Sequence, residues 1–464
     1  MDMSYLVYKR KTIYEHINEQ EKSFAMNLAE DYKYFIGQAK TEREAALAIS
    51  QLAEGRGFVA LDTINRPLQP GDRVYRMVRG KAVAMAVIGN NPLVTGLNII
   101  GAHLDSPRLD LKALPLYEKC GLALFDTHYY GGIKKYQWLA LPLSLHGVII
   151  KNDGSVVNVC IGEDISEPVF TITDLLPHLS KEQLEKKLID AVPGESLNAI
   201  CGSLTENQVD KENKVKLKIL GILNQKYGIV EEDFISAELS LVPAAAPRDV
   251  GIDKSMIGGY GQDDRICAYA QLAAIIGLNQ PARTAIALFA DKEEIGSVGN
   301  TGMQSSFFAE FIADLIEKTT GNFNELMFKK AMSASWALSA DVNAAMDPNF
   351  EDVMEKNNSA FLGCGPVITK YTGSGGKKSA NDANAEYLAL VRKIFNQNNV
   401  IWQTGELGKV DQGGGGTIAY MLAEHGMDVV DCGVALLGMH SPFEVSHKLD
   451  LYMTVKGYEA FYNA

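Results

Sequence analysis

No CxxC pair occurs anywhere in this chain; its six cysteines, Cys120, Cys160, Cys201, Cys267, Cys364 and Cys432, are scattered and mostly set in apolar sequence. That pattern excludes a disulfide framework and reads as reduced core thiols. Nowhere do about eighteen apolar residues run together, so no membrane-spanning helix is expected. The opening Met1-Asp-Met-Ser-Tyr-Leu-Val-Tyr-Lys9 has no apolar stretch of signal-peptide length, which makes a cytoplasmic protein the expectation. Clustered Lys and Arg are also missing. With a formal charge of -13 and a pI near 5.2, a groove tracking nucleic-acid phosphates is not expected.

What the chain does have is length and apolar content: 464 residues, 47% of them hydrophobic, more than one core usually organises. Helices open it, with Thr41 predicted to cap a helix whose first turn is acidic. Strand-like runs follow at 73–78, 82–88 and 97–100. From about 110 to 245 short β-rich pieces alternate with polar, Lys- and Glu-rich segments, which predicts an inserted second domain. From Gly251 strands again alternate with helices. The candidates are helices at 266–276, 307–316, 385–392 and 417–423, and strands at 284–289, 335–339 and 429–437. The fold class expected is therefore α/β, a mostly parallel sheet flanked by helices, with residues 1–109 and 246–464 forming one discontinuous domain around the 110–245 insertion.

Chemistry-bearing residues gather where those strands end. His103 and Asp105 follow the first run, Asp291, Glu293 and Glu294 follow 284–289, Asp341 follows 335–339, and His440 follows the last strand; Asp263 and Asp264 sit in a turn before a helix. In an open α/β sheet the crevice beyond the strand ends is where ligands bind. So many carboxylates in one crevice repel each other unless cations lie among them. Mixed His and carboxylate donors suit zinc, manganese or cobalt rather than calcium, and one carboxylate can bridge two such ions. The Glu293-Glu294 pair offers one ligand and one free carboxylate to serve as a base.

Each of these residues also has an ordinary reading. A histidine after a buried strand is commonly a satisfied polar group, an acidic pair in a loop is usually solvated, and Asp263-Asp264 alone reads as a helix cap. The placement of four clusters just past predicted strands is what those readings do not require. Gly373-Ser-Gly-Gly-Lys377-Lys-Ser379 lacks the glycine spacing of a phosphate loop and reads as a loop. The four glycines Gly413 to Gly416 before a helix fit either an anion cradle or a tight turn.

The motifs Gly101-Ala-His-Leu-Asp-Ser-Pro107, Gln262-Asp-Asp-Arg265, Asp291-Lys-Glu-Glu-Ile-Gly-Ser297, Ser339-Ala-Asp-Val342, Gly365-Pro-Val-Ile368 and Met439-His-Ser441 together resemble the aspartyl aminopeptidase family of di-zinc exopeptidases, which includes the vacuolar aminopeptidases, and the bacterial members most. The resemblance implies removal of single residues from peptide N-termini and a zinc-exopeptidase fold. It implies two divalent ions per subunit, zinc first, with cobalt or manganese as substitutes. One ion would be held by His103, Asp263 and Asp341, the other by Asp263, Glu294 and His440. Glu293 would be general base and acid, and Asp105 would hold the His103 ring from behind. The family's inserted domain pairs subunits within tetrahedral dodecamers, so the resemblance implies dimerisation through the insertion. His178 sits where a family histidine reaches the neighbouring subunit's site.

Two departures bear on specificity. Where the eukaryotic aspartyl enzymes carry histidines after the Ser-Ala-Asp motif, this chain has Ala344 and Asp347, and the lysine after Gly-Pro-Val-Ile is displaced by one, Thr369 preceding Lys370. Strict acidic specificity is thus not implied, and Lys370 stands as a candidate for recruiting an acidic substrate side chain. The competing functions are a related di-metal N-acyl amino acid deacylase and a non-catalytic oligomer with structural metals.

Overall fold

The computed structural model describes residues 3–206 and 212–464. The chain divides into two compact units: Met1–Asp105, Pro247–Met439 and Glu444–Ala464 form the larger, Ser106–Ala246 and His440–Phe443 the smaller.

The larger unit is built on a nine-stranded sheet in the order Val59–Ala60, Arg73–Val78, Ala82–Val87, Ala285–Ala290, Asn98–His103, Trp336–Ser339, Asp428–Gly433, Val367–Thr369, Gln403–Thr404. Its four central strands, Ala285–Ala290 to Asp428–Gly433, run parallel. Alternate residues of these strands enter two separate cores. Ile100, Ala102, Ala287, Phe289, Leu338 and Val430 face one. Ile99, Ile286, Leu288, Ala337 and Val429 face the other. Burial on both faces is why these strands read as largely apolar rather than alternating.

Helices Glu19–Gln38, Gln262–Gly277, Ala385–Gln397 and Lys448–Tyr462 supply the first core, while Phe307–Thr320 and Ala419–Ala423 supply the second. The helix after Thr41, Glu42–Glu54, starts with a capping box: the Glu44 amide donates to the Thr41 hydroxyl, and Glu44 Oε2 accepts from the Thr41 amide at 2.9 Å.

One expected strand is divided. The 429–437 run is two strands, Asp428–Gly433 in the main sheet and Ala435–Leu437 in a second, five-stranded sheet with Arg248–Val250, Met256–Gly259, Glu444–His447 and Asn343–Ala344. The break falls at Gly433, where a Cβ would lie 1.9 Å from the Asp341 carbonyl oxygen and 3.0 Å from Cys267 Sγ. Only glycine lets the chain pass so close to the segment carrying Asp341.

The smaller unit is a six-stranded sheet whose pairings are all antiparallel, from Val156–Ile161 through Leu143–Ile150, Ala237–Pro243, Arg108–Lys119 and Leu122–Tyr130 to Ala199–Gly202. In Leu122–Tyr130 the buried positions Ala123, Phe125 and Thr127 alternate with more exposed ones, the signature of a sheet covered on one face. Among the described residues no helix is long and apolar enough to cross a membrane.

Candidate metal centre

Parallel register brings the strand exits together. Ala290 is level with His103, and Ser339 is level with both Gly101 and Asp431, so His103, Asp291 and Asp341 leave the sheet along one edge. The Asp263–Asp264 pair joins them at the start of the Gln262–Gly277 helix, where both aspartates have non-helical backbone angles and the peptide between them is cis.

Two triads result. His103, Asp263 and Asp341 form one, and Asp263, Glu294 and His440 the other; each residue offers one ligand atom, and the atoms of a triad lie within 4.8 Å of one another. Asp263 belongs to both.

The two histidines are held alike. His103 Nδ1 is 3.0 Å from the Asp105 carbonyl oxygen and its Nε2 is 3.3 Å from Asp263 Oδ1. His440 Nδ1 is 2.9 Å from the Gly132 carbonyl oxygen. An Nδ1–H donated to a carbonyl selects the tautomer in which Nε2 is the ring's acceptor nitrogen. Asp105 does more than face the ring, since its two carboxylate oxygens each accept an amide, from Glu293 and from Glu294, both at 3.1 Å. A single buried carboxylate thereby fixes the loop that carries the triad member Glu294 and the adjacent Glu293, whose Oε2 lies 3.9 Å from His103 Nε2.

The electrostatics are those of a crowded anionic site. Loss of hydration, then repulsion from Asp264, pushes the Asp341 carboxyl well above the usual range, and burial does the same to Asp264. Burial disfavours a charged His103, but Asp105 and Asp263 outweigh it and raise its pKa well above normal. Cations seated among these groups would relieve that repulsion. The donor set is imidazole plus carboxylate. The nearby Cys267 thiol is pushed up by burial and by Asp264, so no thiolate competes, and the residues present fit zinc or a similar divalent ion.

Three supporting residues carry little sequence signal. Glu444 is 1% exposed; its carboxylate accepts the amides of Gln262 at 2.6 Å and Asp263 at 3.2 Å, tethering the start of the helix. Only its place four residues after His440 hinted at it. Arg265, 1% exposed, donates from Nε to the Leu104 carbonyl at 2.9 Å and from a terminal nitrogen to the Lys40 carbonyl at 3.2 Å, clamping the segment between His103 and Asp105. Thr301 donates to Asp291 at 2.5 Å. The Asp291 carboxyl is raised to about 7 by burial and by Glu42 and Asp105.

Two expected substrate contacts lie elsewhere. His178 is exposed on the Pro177–Leu179 turn of the smaller unit and belongs to neither triad. Lys370 lines a recess that contains no member of either triad. Close packing accounts for the first two glycines of the run: a Cβ at Gly413 would meet the Leu407 oxygen at 1.8 Å, and one at Gly414 the Gly373 oxygen at 2.0 Å.

The model of the aminopeptidase I zinc metalloprotease family (M18) matches residues 35–462. A probable M18 family aminopeptidase 1 of Clostridium acetobutylicum is 52% identical over 99% of this chain and 99% of its own length. The crystal structure of an M18-family aminopeptidase from Thermotoga maritima superposes with a TM-score of 0.94 at 46% identity, covering 98% of this chain and 99% of that one. The mApe1 dodecamer of S. cerevisiae shares the fold at 20% identity, with a TM-score of 0.75 over 95% of this chain and 97% of its own.

Proposed function

This chain belongs to the aminopeptidase I zinc metalloprotease family (M18), and on that footing we propose that it removes single residues from free peptide N-termini with two divalent ions, zinc by preference. His103, Asp263 and Asp341 would hold one ion, and Asp263, Glu294 and His440 the other, Asp263 being common to both sets. When bound, such a pair supplies Lewis-acid polarisation of the scissile carbonyl and acidifies water at the site.

The remaining work falls to the chain's own groups. Glu293, next to a ligand yet in neither triad, takes the proton of the attacking water and delivers it to the leaving amine. Asp105 keeps the His103 ring in place through its carbonyl and the Glu293 amide through its carboxylate, so ligand and base are positioned by one residue. The observation that carries the reading is the sharing of Asp263 by two His-containing triads.

The test is release of N-terminal residues from a peptide library by metal-loaded protein, beside Glu293→Gln, with bound metal quantified in both. Wild-type trimming with a metal-replete, silent variant is the expected outcome. Trimming of N-acetylated peptides would instead favour the deacylase, and two bound ions without turnover the non-catalytic oligomer.

We further propose a homo-oligomer, with the smaller unit as its dimerisation surface. Leu175, Leu176, Leu179, Leu184, Leu188 and Ile189 there are each at least 50% exposed, a concentration of apolar surface that favours burial against another copy. Related mApe1 is a dodecamer. His178, in that same stretch, is proposed to serve a neighbouring copy's site. Mixing His178→Ala with Glu293→Gln protomers restores part of the activity each lacks if this is so, and restores none if His178 acts within its own chain.

A further inference from the structure

The larger unit carries a second recess of about 670 Å³, within the usual size of ligand sites. Its walls are the Val7–Lys11 arm, the Ala385–Gln397 helix, and the Val367–Thr369 and Gln403–Thr404 strands. Four cations line it, Lys9, Lys11, Lys370 and Arg392, drawn from three separate parts of the chain, and no Asp or Glu does. In a protein with 57 acidic and 44 basic residues that is the reverse of the average surface. None of the four makes an ion pair among the described residues.

The floor is apolar: Ile368, Val400 and Ile401 are 3%, 3% and 7% exposed, and Trp402, its Nε1 donating to Asn396 at 2.9 Å, presents a fixed ring beside them. Gln403–Thr404 is also the last strand of the nine-stranded sheet, an edge beside which an extended chain can run.

We propose that this recess binds an acidic peptide segment, with carboxylates on the lysines and Arg392 and one apolar side chain against Trp402. Four cations spread over three walls match several carboxylates rather than one, and the adjoining strand edge suits an extended backbone. The inference does not depend on the metal reading, because no triad residue lines the recess.

The experiment is fluorescence anisotropy with a C-terminally labelled acetyl-Glu-Glu-Leu-Glu-Glu peptide, whose blocked N-terminus keeps it from use as an aminopeptidase substrate. Binding that weakens with added salt is expected, with at least a tenfold loss in Lys11→Glu/Arg392→Glu and a smaller loss in Trp402→Ala. The double variant should retain wild-type circular dichroism and wild-type release of residues from a neutral tripeptide. Equal binding of the Gln-for-Glu peptide, or unchanged affinity in the double variant, overturns the proposal. So does failure of the wild type to bind while sedimentation shows that the charge reversal dissociates its assembly, since the occupant is then a second copy.

Discussion

The larger unit's parallel sheet and the smaller unit's antiparallel sheet solve different problems with the same backbone chemistry. In the first, both faces are covered, the central strands are largely apolar apart from Asn98, His103, Ser339, Asp428 and Asp431, and His103, Asp291 and Asp341 gather at the strand exits. In the second, one face is packed and apolar side chains from Leu175 to Ile189 remain on the surface. A sheet enclosed on both sides leaves its strand ends as the place for polar chemistry, whereas in the smaller unit the exposed apolar side chains lie outside the sheet, on and beside the Pro177–Leu179 turn and the short helices Lys181–Leu184 and Leu188–Ala191.

The sharpest break in that contrast is at the catalytic edge. Glu293→Gln should lower kcat by about a thousandfold with metal content unchanged, and retained turnover would remove Glu293 from its assigned part. Arg265→Met tests how far the edge depends on its buried clamp. Withdrawing hydrogen bonds from the Leu104 and Lys40 carbonyls should cost about 2–4 kcal/mol of stability in chemical denaturation, with metal affinity falling as well.

The two units should also differ in pH response. Asp450 in the larger unit accepts the amides of Gly363 at 2.8 Å and Gly365 at 2.7 Å, yet burial raises its carboxyl to about 7. A carboxyl whose pKa is higher folded than unfolded binds more protons in the native state between those values, so stability falls as pH rises from about 4 to 7. Asp450→Asn should flatten that decline in urea midpoints measured across the range. In the smaller unit the shifted carboxyls, Asp153, Asp164, Glu167 and Glu195, are all lowered, with hydrogen bonds the first cause of each, and pull the opposite way.

The smallest effect on stability belongs to Leu188→Ser, about 0.5 kcal/mol or less for so exposed a side chain. Its proposed consequence is a shift toward smaller assemblies in sedimentation velocity; an unchanged distribution would take the 175–189 surface out of the interface.

Sequence alone determined most of the secondary structure and which polar residues crowd near the strand ends. Apolar runs marked the strands, the Thr41 cap marked a helix start, and His103, Glu294, Asp341 and His440 stood out because polar residues follow apolar runs abruptly, while Asp263 lay in a turn before a helix and the grouping into triads came with the family resemblance. Those signals are local, arising from periodicity and from what a buried strand excludes. Tertiary structure decided the rest. Register put Ala290 level with His103, the carbonyls of Asp105 and Gly132 each took up the Nδ1 of one histidine, Glu444 reached back to Gln262 and Asp263, and a close approach at Gly433 split one strand between two sheets. It also moved Lys370 into the company of Lys9, Lys11 and Arg392. Each of these depends on which distant segments meet and at what separation, which no window of sequence encodes.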